Sequence, residues 1–146
     1  MRQVRRFSFL CFCLFLFAGV AAAQDAPDPA TLEEGRALTR QFAAGELDAV
    51  HGRFDARMRE ALSREQLGAL HEQVRTQLGA ETAVIAEQTG SQDGMRIYSR
   101  VARFEKAPDA PAELAWALAP DGSVAGFYIR PAQQPAPPTP AGDPQP

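Results

Sequence analysis

The sequence predicts an α+β domain in which N-terminal helices pack on a curved, antiparallel four-stranded sheet. Two observations carry this. Apolar residues recur at steps of three and four through roughly residues 31–79 and at steps of two afterwards. The strand-like segments also follow one another through turn-rich stretches with no helical crossover, which is the order of an antiparallel meander.

The helices come first. Thr31 and Glu34 form a capping-box pattern, and Leu32, Leu38 and Phe42 make an apolar stripe that ends near Gly45. Leu47, Val50, Phe54 and Met58 recur as one face of a second helix over residues 46–58, with Gly52 marking a bend. A third helix starts at Ser63, with Gln66 reaching back. It buries Leu67, Leu70, Val74 and Leu78 and ends at Gly79, where a left-handed cap is wanted.

Strands are expected over residues 82–88 and 95–104, joined by the turn-rich stretch 90–94. A second pair covers 113–119 and 123–129, joined at Pro120-Asp121-Gly122, with Pro108 and Pro111 punctuating a longer link between the pairs. Alternation places Ile97 and Val101 on one face and Tyr98, Ala102 and Phe104 on the other. It likewise sets Val124 and Tyr128 against Phe127 and Ile129, and puts Trp116 with Leu114 and Leu118. Both sheet faces are thus largely apolar. Helices cover one; a second copy of the chain, giving a homodimer through the sheet face, or edge curvature together with the Pro-rich tail covers the other.

The flanks have a different character. Residues 1–23 combine Arg2, Arg5 and Arg6, an apolar run over 7–20 and the small residues Ala21-Ala22-Ala23, the three parts of a signal peptide cleaved between Ala23 and Gln24. The run is shorter than the roughly 20 residues that span a bilayer, so no stable membrane anchor is expected after cleavage. Cys11 and Cys13 lie in the middle of the run, without the small residues that precede a lipid-modified cysteine. The reading is an exported bacterial protein, periplasmic or secreted.

Residues 24–30 and the Pro-rich tail 131–146 have compositions that favour disorder, which leaves one domain over 31–130. Cleavage removes three of the 15 basic residues and none of the 18 acidic ones. The mature chain therefore has 12 basic against 18 acidic residues, a balance of −6 compared with −3 for the whole chain. That balance argues against nucleic acid as a partner. With no mature cysteine, the domain is held by an apolar core and not by disulfides.

Candidate sites are sparse. His51 and Asp55, four apart, lie on one helix face, so the carboxylate can orient the imidazole for proton abstraction from a cavity-bound substrate. The alternative is a helix-edge histidine beside a solvated aspartate. One pair without a third group does not make a catalytic site, so no catalytic residue is assigned. His71 borders its helix stripe in the same way. Two histidines twenty residues apart match no compact zinc spacing, and no metal or cofactor is expected. Tyr98, Trp116 and Tyr128 are either core residues or the lining of a cavity for a small apolar ligand. Arg96, Arg100 and Arg130 form an anion-binding rim or a solvated surface.

The run Leu62-Ser63-Arg64-Glu65-Gln66-Leu67 with its helix ending at Leu78-Gly79, the strand Val101-Ala102-Arg103-Phe104-Glu105-Lys106, and the close from Pro120-Asp121-Gly122 to Arg130-Pro131 resemble the domain-of-unknown-function family DUF3887. The resemblance runs from about Leu38 to Pro131 and implies an NTF2-like cone. Members of that family often precede an α/β-hydrolase domain, but this sequence carries no Gly-x-Ser-x-Gly elbow, so hydrolase chemistry does not carry over. The expectation is a non-catalytic binding or protein-interaction module. The alternatives are a small-molecule carrier or small pocket enzyme using the cone interior, and an accessory partner of a separate exported hydrolase.

Overall fold

A computed structural model describes residues 26–133. The expected signal peptide, its cleavage point at Ala23 and Gln24, and the tail beyond Gln133 lie outside the described residues. Four helices, α1 (Pro29–Ala44), α2 (Leu47–Gly52), α3 (Ala56–Ala61) and α4 (Arg64–Gln77), precede four strands, β1 (Glu81–Gln92), β2 (Met95–Phe104), β3 (Ala107–Leu118) and β4 (Val124–Pro131). The strands form one antiparallel sheet in sequence order. The class is α+β.

Local chemistry sets the helix ends, not always where the sequence pattern puts them. Asp28 caps α1, accepting from the Thr31 backbone N–H (3.0 Å) and hydroxyl, and Pro29 opens the helix. Thr31 is therefore the capped residue and not the cap: a proline at the first position lacks only an N–H that no helix start can use. The expected second helix is two. The chain breaks after Gly52, Phe54 pairs with Val124 at the edge of β4, and Asp55 caps α3. Its four stripe residues, Leu47, Val50, Phe54 and Met58, are buried all the same. The capping box at Ser63 and Gln66 is present, and Gly79 is left-handed (φ 75).

The strands are longer than the pattern suggested. β1 and β2 turn at Asp93-Gly94, both with positive φ (52 and 78), the conformation a tight hairpin requires. Pro108 and Pro111 lie inside β3, not in a link. β2 and β3 meet in a short turn at Glu105 and Lys106, and the ladder is irregular beside the prolines, which have no N–H to donate. Bulges interrupt β1 at Thr82 and Ile85 and β4 at Ala125. The last of these corrects one face assignment. Val124 lies opposite Leu118 on the helix side with Phe127 and Ile129, whereas Tyr128 lies opposite Ala115 on the other face, because an extra residue in a strand flips the alternation beyond it.

The core fills one side of the sheet. Leu38, Phe42, Leu47, Val50, Phe54, Met58 and Leu67 from the helices meet Tyr98, Leu114, Trp116, Leu118 and Val124 from the strands. Trp116 stacks on Phe127 (4.1 Å between ring centroids) and meets Phe42 edge-on. A smaller cluster of Ala102, Phe104 and Ala112 packs with Leu78 and Ile129. Neither cluster includes a side chain from the opposite face, where Ile97 and Val101 are half-buried and Tyr128 is 41% exposed.

Candidate functional site

The five residues singled out for ligand binding do not share a cavity. Tyr98 and Trp116 are fully buried in the core. The Trp116 indole N–H donates to the Thr39 hydroxyl (3.0 Å), which in turn donates to the Gly35 carbonyl (2.8 Å). Tyr128 lies on the opposite sheet face, its hydroxyl 3.1 Å from a Glu113 oxygen and its ring beneath the Arg130 guanidinium. His51 rests against Phe54, with ring centroids 5.2 Å apart, and its Nε2 is buried without a hydrogen-bond partner among the described residues. Asp55 spends its carboxylate on the Met58 N–H (2.7 Å), and the helix break after Gly52 removes the shared face that would let it orient His51. Neither His51 nor Asp55 lines a cleft described below.

The arginines prove to be structural partners. Arg100 is 18% exposed on the helix side of the sheet, held by Glu81 and by Glu87 at 3.1 Å. Glu87 also receives a two-pronged contact from Arg36 of α1 (shortest 2.6 Å) and the Tyr98 hydroxyl (2.6 Å). The Arg36 guanidinium outweighs the penalty of burial and, with Tyr98 and Arg100, holds the Glu87 carboxyl down at about 2. Burial and the Glu87 carboxylate push the Tyr98 phenol up to about 12. Arg96 joins Glu34 (2.8 Å), again on α1, and Arg130 joins Glu113 (2.8 Å). Each of the three arginines is thus committed to a carboxylate.

The open space lies under α4. Of its apolar stripe only Leu67 is buried; Leu70, Val74 and Leu78 remain half-exposed, because the helix packs against α2 more closely than against the sheet. On the side facing α1 is a cleft of ≈ 510 Å³, with Phe42, Val74, Phe104, Leu114 and Ile129 among its apolar lining. Its polar lining is Thr39, His71, Arg75, Glu81, Glu105 and Lys106. On the far side of α4 a second cleft of ≈ 270 Å³ is bounded by Leu70, Val74, Leu78, Ala112, Ile129 and Pro131. Both fall at or near the size range of small-molecule sites, roughly 300–1,000 Å³.

Both ends of α4 are pinned, so the gap is built in. Its N-terminus is fixed by the capping box and by buried Leu67. At its C-terminus the Lys106 ammonium donates to the carbonyls of Thr76 (3.0 Å) and Arg75 (3.3 Å), and the Lys106 N–H donates to the Leu78 carbonyl. His71, which borders the α4 stripe, lines the larger cleft. Its ring stands edge-on to Phe42 (5.2 Å), and its Nε2 is buried beside Gly45 without a hydrogen-bond partner among the described residues. Among the described residues no three His, Cys, Asp or Glu side chains gather as a metal site. The chemistry this arrangement offers is desolvation of an apolar body with hydrogen bonding at one rim. No protein-family model, curated protein or solved structure matches this chain.

Proposed function

We propose that the chain is an exported, non-catalytic binding module of the NTF2-like, DUF3887 type that holds a small apolar molecule between α4 and the sheet. One observation carries the reading: three apolar residues of the α4 stripe, Leu70, Val74 and Leu78, stay half-exposed and line clefts between the pinned helix and an apolar sheet surface. Apolar surface left facing a cleft in this way is stabilised by an apolar occupant. The cone assignment is supported by the helices-first order and the antiparallel meander, and export by the composition of residues 1–23.

Trp116, the chain's one tryptophan, packs against Phe42 at the cleft wall and reports on occupancy. Titration with small apolar probes such as 1-naphthol should change its emission and raise the thermal midpoint in proportion to the logarithm of probe concentration. Ala43→Trp, an exposed position on the cleft wall, should abolish the midpoint rise. No rise with any probe in the wild type would defeat the reading.

A second reading concerns the partner. On the face away from the helices, half-buried Ile97, Ala117 and Gly126 form a largely apolar surface around buried Ala115. Its charges at Glu113 and Arg130 neutralise each other. A second copy of the same apolar surface is the complementary occupant, so we propose a homodimer through this face. Sedimentation equilibrium should show a mass that rises with concentration in the wild type and stays monomeric in Ile97→Lys. A wild-type mass constant at the monomer value overturns it.

A further inference from the structure

We infer that the two clefts are one binding site, built for a single unbranched aliphatic chain with one polar end, and that Val74 and Ile129 form the neck through which the chain passes. The inference rests on the cleft reading above and gives it a ligand class. Val74 and Ile129 are the residues that line both clefts. Each is half-buried, and Ile129 belongs to the margin of both core clusters, so the neck sits where the two halves of the core meet.

The two ends differ in chemistry. The larger cleft carries most of the hydrogen-bonding and charged groups: Thr39, His71, Arg75 and Lys106, together with Glu81 and Glu105. The smaller is walled mainly by Leu70, Val74, Leu78, Ala110, Ala112 and Ile129; its polar groups are the Gln73 and Gln77 amides and Arg130, which is already paired with Glu113. A charged head therefore finds cations in the first cleft, and in the second only the Gln73 and Gln77 amides and an arginine already paired. A compact ring fills one cleft and leaves the other empty. A flexible chain is narrow enough to pass a valine–isoleucine neck and gains from both walls.

Length dependence tests this. Straight-chain carboxylates from hexanoate to palmitate, and the matching alcohols, are titrated by calorimetry into the full mature chain. Affinity is expected to rise about fourfold for each methylene buried, then level off once both clefts are filled. Val74→Phe, which narrows the neck, should move that plateau to shorter chains while short-chain affinity stays at the wild-type value. Ala110→Trp, an exposed position that fills the far cleft without touching the core, should do the same. A dicarboxylate of plateau length should bind at least tenfold more weakly than the monocarboxylate, because its second charged end must enter the apolar cleft.

The outcomes separate the two readings. If chains bind but neither variant moves the plateau, or if the dicarboxylate binds equally well, the clefts are not one single-ended site and the inference is overturned while the cleft reading stands. If no chain binds the wild type, the inference fails, and the probe titration with 1-naphthol decides the cleft reading on its own. Should Val74→Phe lose its melting transition, the plateau measured in Ala110→Trp decides between one site and two.

Discussion

The two long helices meet the same sheet in opposite ways. α1 is sealed to it. Gly35 lies against the Tyr98 ring so closely that a Cβ there would sit 2.1 Å from Tyr98 Cγ. Thr39 takes the Trp116 indole, and Arg36 crosses to Glu87. α4 is held by its ends and its middle packs only in part, with Val74 touching the core from a half-exposed position beside the clefts. One seam is dense with long-range polar and aromatic contacts, while the other is a gap lined with half-exposed leucine and valine. The contrast teaches a division of labour: stability is concentrated at the α1 seam, which frees the α4 seam to trade packing for space.

Substitutions can break that comparison, and the largest effect is expected at Gly35. Gly35→Leu places a side chain where the Tyr98 ring already stands and should abolish cooperative unfolding; retention of a wild-type denaturant midpoint would show that α1 can lift from the sheet. Next, Glu87→Ala leaves Arg36, Arg100 and the Tyr98 hydroxyl without their shared acceptor and should cost about 3 kcal/mol by urea denaturation.

The same carboxylate sets an acid limb. Its folded value of about 2 lies below the ordinary 4.5, so its stabilisation is complete above about pH 4.5 and is lost as pH falls toward 2. Thermal melts across that window should lose on the order of 3 kcal/mol in the wild type, and distinctly less in Glu87→Gln.

A smaller effect is expected at Thr39→Val, which strands the buried Trp116 N–H and should cost about 2 kcal/mol by the same denaturant assay. The smallest belongs to the other seam. Leu70→Ala should cost under about 1 kcal/mol, because the side chain is already half-exposed, whereas Leu38→Ala, at 1% exposure under α1, should cost about 3 kcal/mol. Equal losses at Leu70 and Leu38 would erase the distinction between the seams.

Much of this fold was legible in the sequence, and the reasons differ by element. The Ser63 to Gln66 capping box and Gly79 are local signals, complete within one turn of chain, and both are present in the structure. The strand alternation through Tyr98 and Trp116 is equally local. What escaped depends on partners far along the chain. Asp28 caps α1 because Pro29 opens it, a competition the Thr31 to Glu34 pattern conceals. The helix break at residues 53–55 exists because Phe54 and Asp55 pair with Val124, seventy residues onward.

The clefts escaped for a related reason. Leu70, Val74 and Leu78 read as a buried stripe, and a stripe does not reveal how far its helix stands from the sheet; that spacing is set by Lys106 clasping the helix end. Nor does any local signal mark Arg36 and Arg100 as partners of Glu87, since charged residues on a helix and two strands carry the same code whether solvated or paired.

The irregularity of β1 bears on how the folded chain stays in solution. Among the described residues β1 is an edge strand of the sheet, and residues 82–86 are uncharged, small or branched, with Val84 and Ile85 each 46% exposed. Such a segment has the composition that stacks into cross-β fibres. The bulges at Thr82 and Ile85 interrupt the run of N–H and C=O groups that an incoming strand would need, and Glu81 and Glu87 flank it with charge. Deleting both Thr82 and Ile85 should restore a regular ladder and open the edge to strand addition, so the two extra residues work against fibre formation.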